Sequence, residues 1–232
     1  MKRKLLGVDF LRASQREILE YLVKNIKKTP KKIFVVTPNP ELLVVANSDE
    51  RYKNVLNSAD LALPDGVGVI LASKILGIGL KEKITGVDLL ENLCKAVAKR
   101  PITVSFLGGG PKIAERTAEC LKKRYFGLKI GFFGSEIKNF NELKGTDILF
   151  VAFGSPKQEF WIAKNLKRLP VRLAVGVGGA FDMISGKVLR APRPVRDIGF
   201  EWLFRLIIQP WRIKRQLSLF KFILLVLKER FA

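Results

Sequence analysis

The sequence predicts an α/β fold: a mostly parallel, Rossmann-like sheet with helices on both faces. Three observations predict it. Strand-like and helix-like runs alternate from residue 32 to residue 189, as consecutive β–α units do. Several strand-like runs end in Gly, Pro or Ser and lead directly into a helix-like run. From Arg190 the texture changes to a basic, aromatic-rich tail. We therefore divide the chain into an α/β domain, residues 1–189, and a basic amphipathic helical appendage, residues 190–232.

Residues 4–12 read as a short strand and turn leading to Ser14. Ser14 and Glu17 form a Ser-x-x-Glu capping box. Ile18, Leu19, Leu22, Val23 and Ile26 mark one face of the helix that follows and ends near Thr29-Pro30. Lys32–Val36 is a buried-type strand, stopped by Thr37-Pro38-Asn39-Pro40, where two prolines forbid further ladder pairing. Helices are expected over Glu41–Ser48, 51–58 and 67–76, the last after the Pro64-Asp65-Gly66 turn. A polar connection, Lys81 to Gly86, leads to an amphipathic helix over Val87–Lys99.

Ile102–Leu107 is a strand running into Gly108-Gly109-Gly110-Pro111, with a helix over Lys112–Arg124. Strand, glycines and helix in that order can seat a phosphate on backbone amides. A tight α/β turn uses the same glycines for structure alone, and the spacing is not Gly-x-Gly-x-x-Gly. Strands follow at Lys129–Phe133 and Asp147–Phe153. The second runs into Gly154-Ser155-Pro156-Lys157-Gln158-Glu159, where Ser155 reads as an N-cap, Pro156 as the first helical residue and Gln158 as the box partner. Val171–Val175 is a further strand, ending in Gly176-Val177-Gly178-Gly179-Ala180, whose small residues permit close backbone approach. In the tail, Pro210 separates a helix around residues 200–206 from a last one over Trp211–Arg230. There Ile213, Leu217, Phe220, Leu224, Leu227 and Phe231 share one face, flanked or opposed by basic residues.

Ligands of open α/β sheets sit beyond the carboxyl ends of the strands. Thr37, Asn39, Gly108, Gly109, Gly154, Gln158 and Gly178 all fall at or just past expected strand ends, so they can share one rim with Asp65. A carboxylate pinned by Pro64 and Gly66 is a general-base candidate. Pro-Asp-Gly is also ordinary turn chemistry, and Asp commonly caps a following helix.

Composition narrows the chemistry. The 232 residues contain no histidine, which removes Ser-His and Cys-His nucleophiles and His-ligated metals. No Asp-x-Asp is present to clamp a divalent ion beside a nucleotide sugar. The net charge of +21 calls for an anionic partner. Residues 190–232 hold 10 Lys or Arg against 3 Asp or Glu, a charge density about twice that of the body. No apolar run approaches the roughly 18–20 residues that span a bilayer, and no signal-peptide core follows the basic start. Cys94 and Cys120 read as reduced core fillers. These features predict a cytoplasmic protein held reversibly on the anionic inner face of the membrane by its basic amphipathic tail. The apolar stripe has a competing use, packing on the domain itself or in a homo-oligomer. Phe222, Leu225 and Trp211, which lie outside a single packing stripe, favour the membrane.

Thr37-Pro38-Asn39, Pro64-Asp65-Gly66, Gly154-Ser155-Pro156-Lys157-Gln158-Glu159, Gly176 to Asp182 with Ser185-Gly186, Arg190-Ala191-Pro192 and Glu201-Trp202-Leu203 occur in one order. Each is weak alone. As an ordered set, spanning about Leu6 to Arg215, they resemble the bacterial WecG/TagA/CpsF glycosyltransferase family. The resemblance implies a metal-independent, cofactor-free, inverting transfer of an N-acetylmannosamine-type sugar from UDP. The implied acceptor is a polyprenyl-diphosphate-linked N-acetylglucosamine, as in wall teichoic acid or related surface-polymer synthesis. It also implies Asp65 as the base, with Thr37, Asn39 and Gln158 around sugar and nucleotide. The family frequently has arginine at position 83. Lys83 keeps the charge and lacks the bidentate fork.

Inverting transfer needs a base and positive charge for the departing nucleotide. Lys83, the amides of the glycine turns, and the tail arginines Arg205, Arg212 and Arg215 are the available positive groups. Two other function classes account for part of this pattern. A nucleic-acid binder would explain the charge, and the body lacks a basic patch interleaved with aromatics, so no nucleic-acid partner is expected. A nucleotide-dependent oxidoreductase would explain sheet and glycines, and the fingerprint spacing and its acidic partner are missing.

Overall fold

The structure, a computed structural model, describes residues 2–231, with the side chains of residues 212 and 214–216 outside that description. A small antiparallel hairpin, β1 (Lys2–Leu5) and β2 (Val8–Leu11), precedes α1 (Gln15–Asn25). The α1 capping box forms as expected, Ser14 and Glu17 satisfying each other's backbone N–H groups. β3 (Ile33–Val36) stops at Pro38, and Asn39 caps α2 (Pro40–Ser48). α3 (Glu50–Ser58) and a two-residue strand, β4 (Leu61–Ala62), lead to α4 (Val67–Ile75). α5 (Gly86–Val97), β5 (Thr103–Gly108), α6 (Ile113–Arg124) and β6 (Lys129–Gly134) follow. A short 3-10 turn (Phe140–Leu143), which the sequence reading did not contain, precedes β7 (Ile148–Ala152), α7 (Lys157–Asn165), β8 (Leu173–Gly176) and α8 (Ala180–Ile184). The tail forms α9 (Arg193–Asp197), α10 (Glu201–Ile208), a 3-10 turn at Pro210 and α11 (Ile213–Phe231).

The six-stranded sheet is all parallel, in the order β4-β3-β8-β7-β5-β6. Alternation along each strand builds two cores. Ile33, Val35, Val104, Phe106, Ile148, Phe150, Leu173 and Val175 face the layer of α1, α5, α6 and α8. Phe34, Val36, Leu107, Leu149, Val151 and Ala174 face the layer of α2, α3 and α7. The hairpin joins the second layer through Leu5, Val8 and Phe10. Both cysteines are free thiols.

Gly108 shows how tightly β5 and β7 are laid together at their carboxyl ends. Its φ is +111°, and a Cβ there would sit 2.7 Å from the Ala152 carbonyl carbon and oxygen. Gly108→Ala is expected to destabilise the fold by about 1–3 kcal/mol through the left-handed φ and the backbone clash. Thermal unfolding checks this, as a lowered Tm.

α11 corrects one expectation. Phe222, assigned to leftover apolar surface, is 4 % exposed, and Val226 is 3 % exposed. Both enter the α2-side core. The stripe of Ile213, Leu217, Phe220, Leu224 and Phe231 is the face left exposed. Among the described residues no helix is long and apolar enough to cross a membrane.

Candidate active site

The carboxyl ends of β3, β4, β5, β7 and β8 open onto one cleft of about 1460 Å³. Thr37, Asn39, Asp65, Lys83, Gly108, Gly109, Gly154, Gln158, Gly178 and Arg205 all line it. The side chains of Arg212 and Arg215 lie outside the described residues.

Asp65 is held by its neighbours' backbone. Leu63 N–H donates to Val36 O (2.9 Å), Asp65 N–H to Pro38 O (3.1 Å) and Ile84 N–H to Pro64 O (2.7 Å). The turn is thereby stitched between the end of β3 and the segment before α5. Asp65 does not cap α4. The cap is Gly66, at φ 91°, with no side-chain hydrogen bond. The Asp65 carboxyl is pushed up to about 7, first by loss of hydration and then by the charge of Glu201. Arg205 and the Gly86 N–H pull the other way, and Asp88 adds a smaller upward push. A carboxylate titrating near neutrality is suited to take a proton at physiological pH.

Thr37 stands where three elements converge. A Cβ on Gly86 would lie 3.4 Å from Thr37 Oγ1 and 3.2 Å from Val177 O. Asn39 Oδ1 accepts from Leu42 N–H at 3.0 Å. Its carbonyl end is thus committed to the α2 cap, and the amide nitrogen is what it can offer a ligand.

The Gly154–Glu159 lip differs from the expected capping box. The α7 cap position is Pro156, without a side-chain cap bond. The Ser155 hydroxyl instead donates to Glu159 Oε1 (2.8 Å), and Gln158 Nε2 donates to Ser155 Oγ (3.1 Å) and to Glu159 Oε1 (2.7 Å). Gln158 Oε1 accepts from Gly178 N–H at 3.0 Å, tying the lip to the loop after β8. Glu159 is buried, and a buried carboxyl needs donors more than an exposed helix end does. Burial raises its pKa, against the hydrogen bonds of Gln158 and Ser155.

The start of the tail is clamped to α5. Arg190 meets Asp88 (2.6 Å) and Glu91 (3.1 Å) and approaches Glu201 (4.0 Å), while Arg196 reaches Asp88 at 3.5 Å. Burial would raise the Asp88 carboxyl, and hydrogen bonds from Thr85 and Arg190 outweigh it and hold the pKa below the usual range. Lys83 donates to the Arg196 carbonyl. Arg205 crosses to the β8 loop: a Cβ on Gly179 would sit 3.3 Å from its Nη2.

The sequence reading did not single out Glu201, Asp88, Arg190 or Glu159 as site residues. A signal existed for Glu201: at i, i+4 from Arg205 it shares that residue's face of α10. Among the described residues no cluster of three His, Cys, Asp or Glu side chains is placed to hold a metal ion.

Comparison with known proteins places this geometry in context. A family model described as "Glycosyl transferase WecG/TagA/CpsF family" matches residues 3–232. The chain is similar to a protein of Bacillus spizizenii, 36% identical over 228 residues, covering 95% of this chain and 89% of the relative. A Bacillus subtilis protein is 31% identical over 230 residues, covering 96% and 90%. One from Staphylococcus aureus (strain MRSA252) is 31% identical over 231 residues, covering 94% and 89%. Each of the three is named N-acetylglucosaminyldiphosphoundecaprenol N-acetyl-beta-D-mannosaminyltransferase.

Proposed function

This chain belongs to the glycosyl transferase WecG/TagA/CpsF family, and from that premise we propose that it moves N-acetylmannosamine from UDP to N-acetylglucosaminyl-diphosphoundecaprenol. The observation that carries the proposal is Asp65: an uncapping carboxyl, pushed up to about 7, fixed where five strand ends meet. In this reading Asp65 takes the proton of an acceptor-sugar hydroxyl. The freed oxygen attacks the donor's anomeric carbon from the face opposite the nucleotide. The bond from that carbon to the diphosphate oxygen breaks, UDP leaves, and the configuration inverts. Arg205, Lys83 and the amides of the glycine turns receive the departing charge. Thr37 and Asn39 border the sugar, while Gln158 acts by shaping the Gly178 loop.

The exposed Ile213–Leu217–Phe220–Leu224 stripe, with Lys221, Lys228 and Arg230 exposed nearby, supports docking on an anionic membrane surface. That surface is the inner face, where wall teichoic acid or a related polymer would be started on its lipid. Nothing in the cleft or among the relatives favours the nucleic-acid or oxidoreductase readings.

A transfer assay with a panel of UDP-sugars and a short-chain lipid-diphosphate acceptor tests the proposal. UDP-N-acetylmannosamine is expected to give UDP release and a disaccharide lipid. UDP, and not NAD, is expected to raise the Tm. Transfer from no UDP-sugar, or stabilisation by NAD alone, overturns it.

A further inference from the structure

The cleft has an apolar side, lined by residues of α4 and α11. α4 leaves the rim one residue after Gly66, and its Gly68, Leu71, Ala72 and Ile75 all line the cleft. Their i, i+3, i+4, i+7 spacing puts them in one row along the helix. At 1.5 Å per residue, the row runs about 10 Å away from Asp65.

α11 supplies the opposite wall. Leu219, Ile223 and Leu227 line the cleft at i, i+4, i+8. On this helix they fall between the buried Phe222–Val226 face and the exposed outer stripe. The apolar surface is therefore continuous from the outer stripe, through Leu227 and Ile223, to the mouth of α4. Leu71, Ile75, Ile223 and Leu227 are 52%, 48%, 53% and 41% exposed. Four large apolar side chains so exposed inside one concavity mark a binding groove.

Its two ends differ in chemistry. The end at Asp65 has the amino terminus of α4, which no side chain caps, so its backbone N–H groups can meet a phosphate. The far end is hydrocarbon. A ligand that fits this order has a sugar hydroxyl, then a diphosphate, then an apolar chain.

We propose that the groove between α4 and α11 holds the first isoprene units of the acceptor's polyprenyl chain. The assignment rests on the transferase reading above. It makes the groove a measuring device: the chain is held beside α4, so the sugar hydroxyl is presented to Asp65 at a fixed depth. Affinity then depends on the first few isoprene units, independent of any membrane.

The test uses water-soluble N-acetylglucosaminyl-diphosphate analogues carrying one, two, three or four isoprene units, assayed without vesicles or detergent. KM is expected to fall about tenfold or more over the first units, as apolar surface enters the groove, and then to level off. Leu71→Asn and Ile223→Asn, one from each wall and both at exposed positions, are expected to collapse the preference for the longer analogues. Phe126→Ser, 90% exposed and away from the cleft, is expected to keep it. A KM independent of chain length, or a preference that survives both groove variants, overturns the assignment. So does a change of oligomeric state in those variants with the preference intact, which makes the groove an interface between copies. Absence of transfer to every analogue overturns the transferase reading itself, and the groove with it.

Discussion

Asp65→Asn is expected to lower sugar transfer by about 10²-fold or more, the scale of a removed general base, and to raise the Tm at pH 8. The two effects share one cause. The folded carboxyl titrates at about 7 because it is partly desolvated and feels the charge of Glu201, whereas a free Asp titrates near 3.9. The folded state thus binds this proton more tightly than the unfolded chain. Stability from this group is full below about pH 4, declines as pH rises, and stays low above about pH 7. The ionised carboxylate then costs at most about 4 kcal/mol, which the neutral amide does not incur. Activity runs the opposite way, because the base works only when ionised. In the wild type kcat/KM is expected to rise with pH through about 7 and flatten above it. Glu201→Gln removes the second cause of the upward shift, so the rise is expected to move to lower pH. An Asp65→Asn rate within about tenfold of wild type rules out Asp65 as the base, and a flat profile from pH 5.5 to 8.5 rules out a base that titrates near neutrality.

Much of this frame is legible in the sequence because parallel strands buried on both faces read as short apolar runs. Ile33–Val36, Thr103–Gly108 and Ile148–Ala152 are bracketed by Pro or Gly that end each ladder. The same punctuation placed Thr37, Asn39, Gly108 and Gly178 at one rim. What local reading missed was set by burial and by contacts distant in sequence. Ser155-Pro156-x-Gln158 has the pattern of a helix cap, yet the buried Glu159 takes the Ser155 and Gln158 donors. Glu201 acts on Asp65 across 136 positions of chain, and no pattern in either segment announces the other. α11 carries apolar residues on more than one face. Which face meets the body depends on Gly68, where a Cβ would lie 2.9 Å from Pro40 Cγ and 3.9 Å from the Phe222 ring, and that shape is invisible to periodicity.

A chain ending at Leu189 is expected to lose about 10²-fold or more of its rate on a soluble acceptor analogue, even where no membrane is involved. The reason is that residues 190–232 contribute to the site as well as to any surface. Arg205 approaches Gly179 and moderates the Asp65 carboxyl, and Lys83 is held by the Arg196 carbonyl. Arg190 fixes this segment on Asp88 and Glu91 at the start of α5, beside the Gly86 N–H that Asp65 uses. Truncation also uncovers the core where Phe222 and Val226 pack, so lost rate alone would not separate catalysis from folding. Arg205→Ala in the full chain makes the separation, because it leaves α10 and α11 in place. Measured at a pH high enough to keep Asp65 ionised without Arg205, it is expected to lower kcat by about 10²–10³-fold, the scale of one removed transition-state donor. If the truncated chain and Arg205→Ala both turn over a soluble acceptor at the full-length rate, the tail contributes no charge to the reaction. If only truncation impairs transfer, its contribution is the packing of α11 against α2 and α4, and the departing nucleotide is met by Lys83 and the backbone amides.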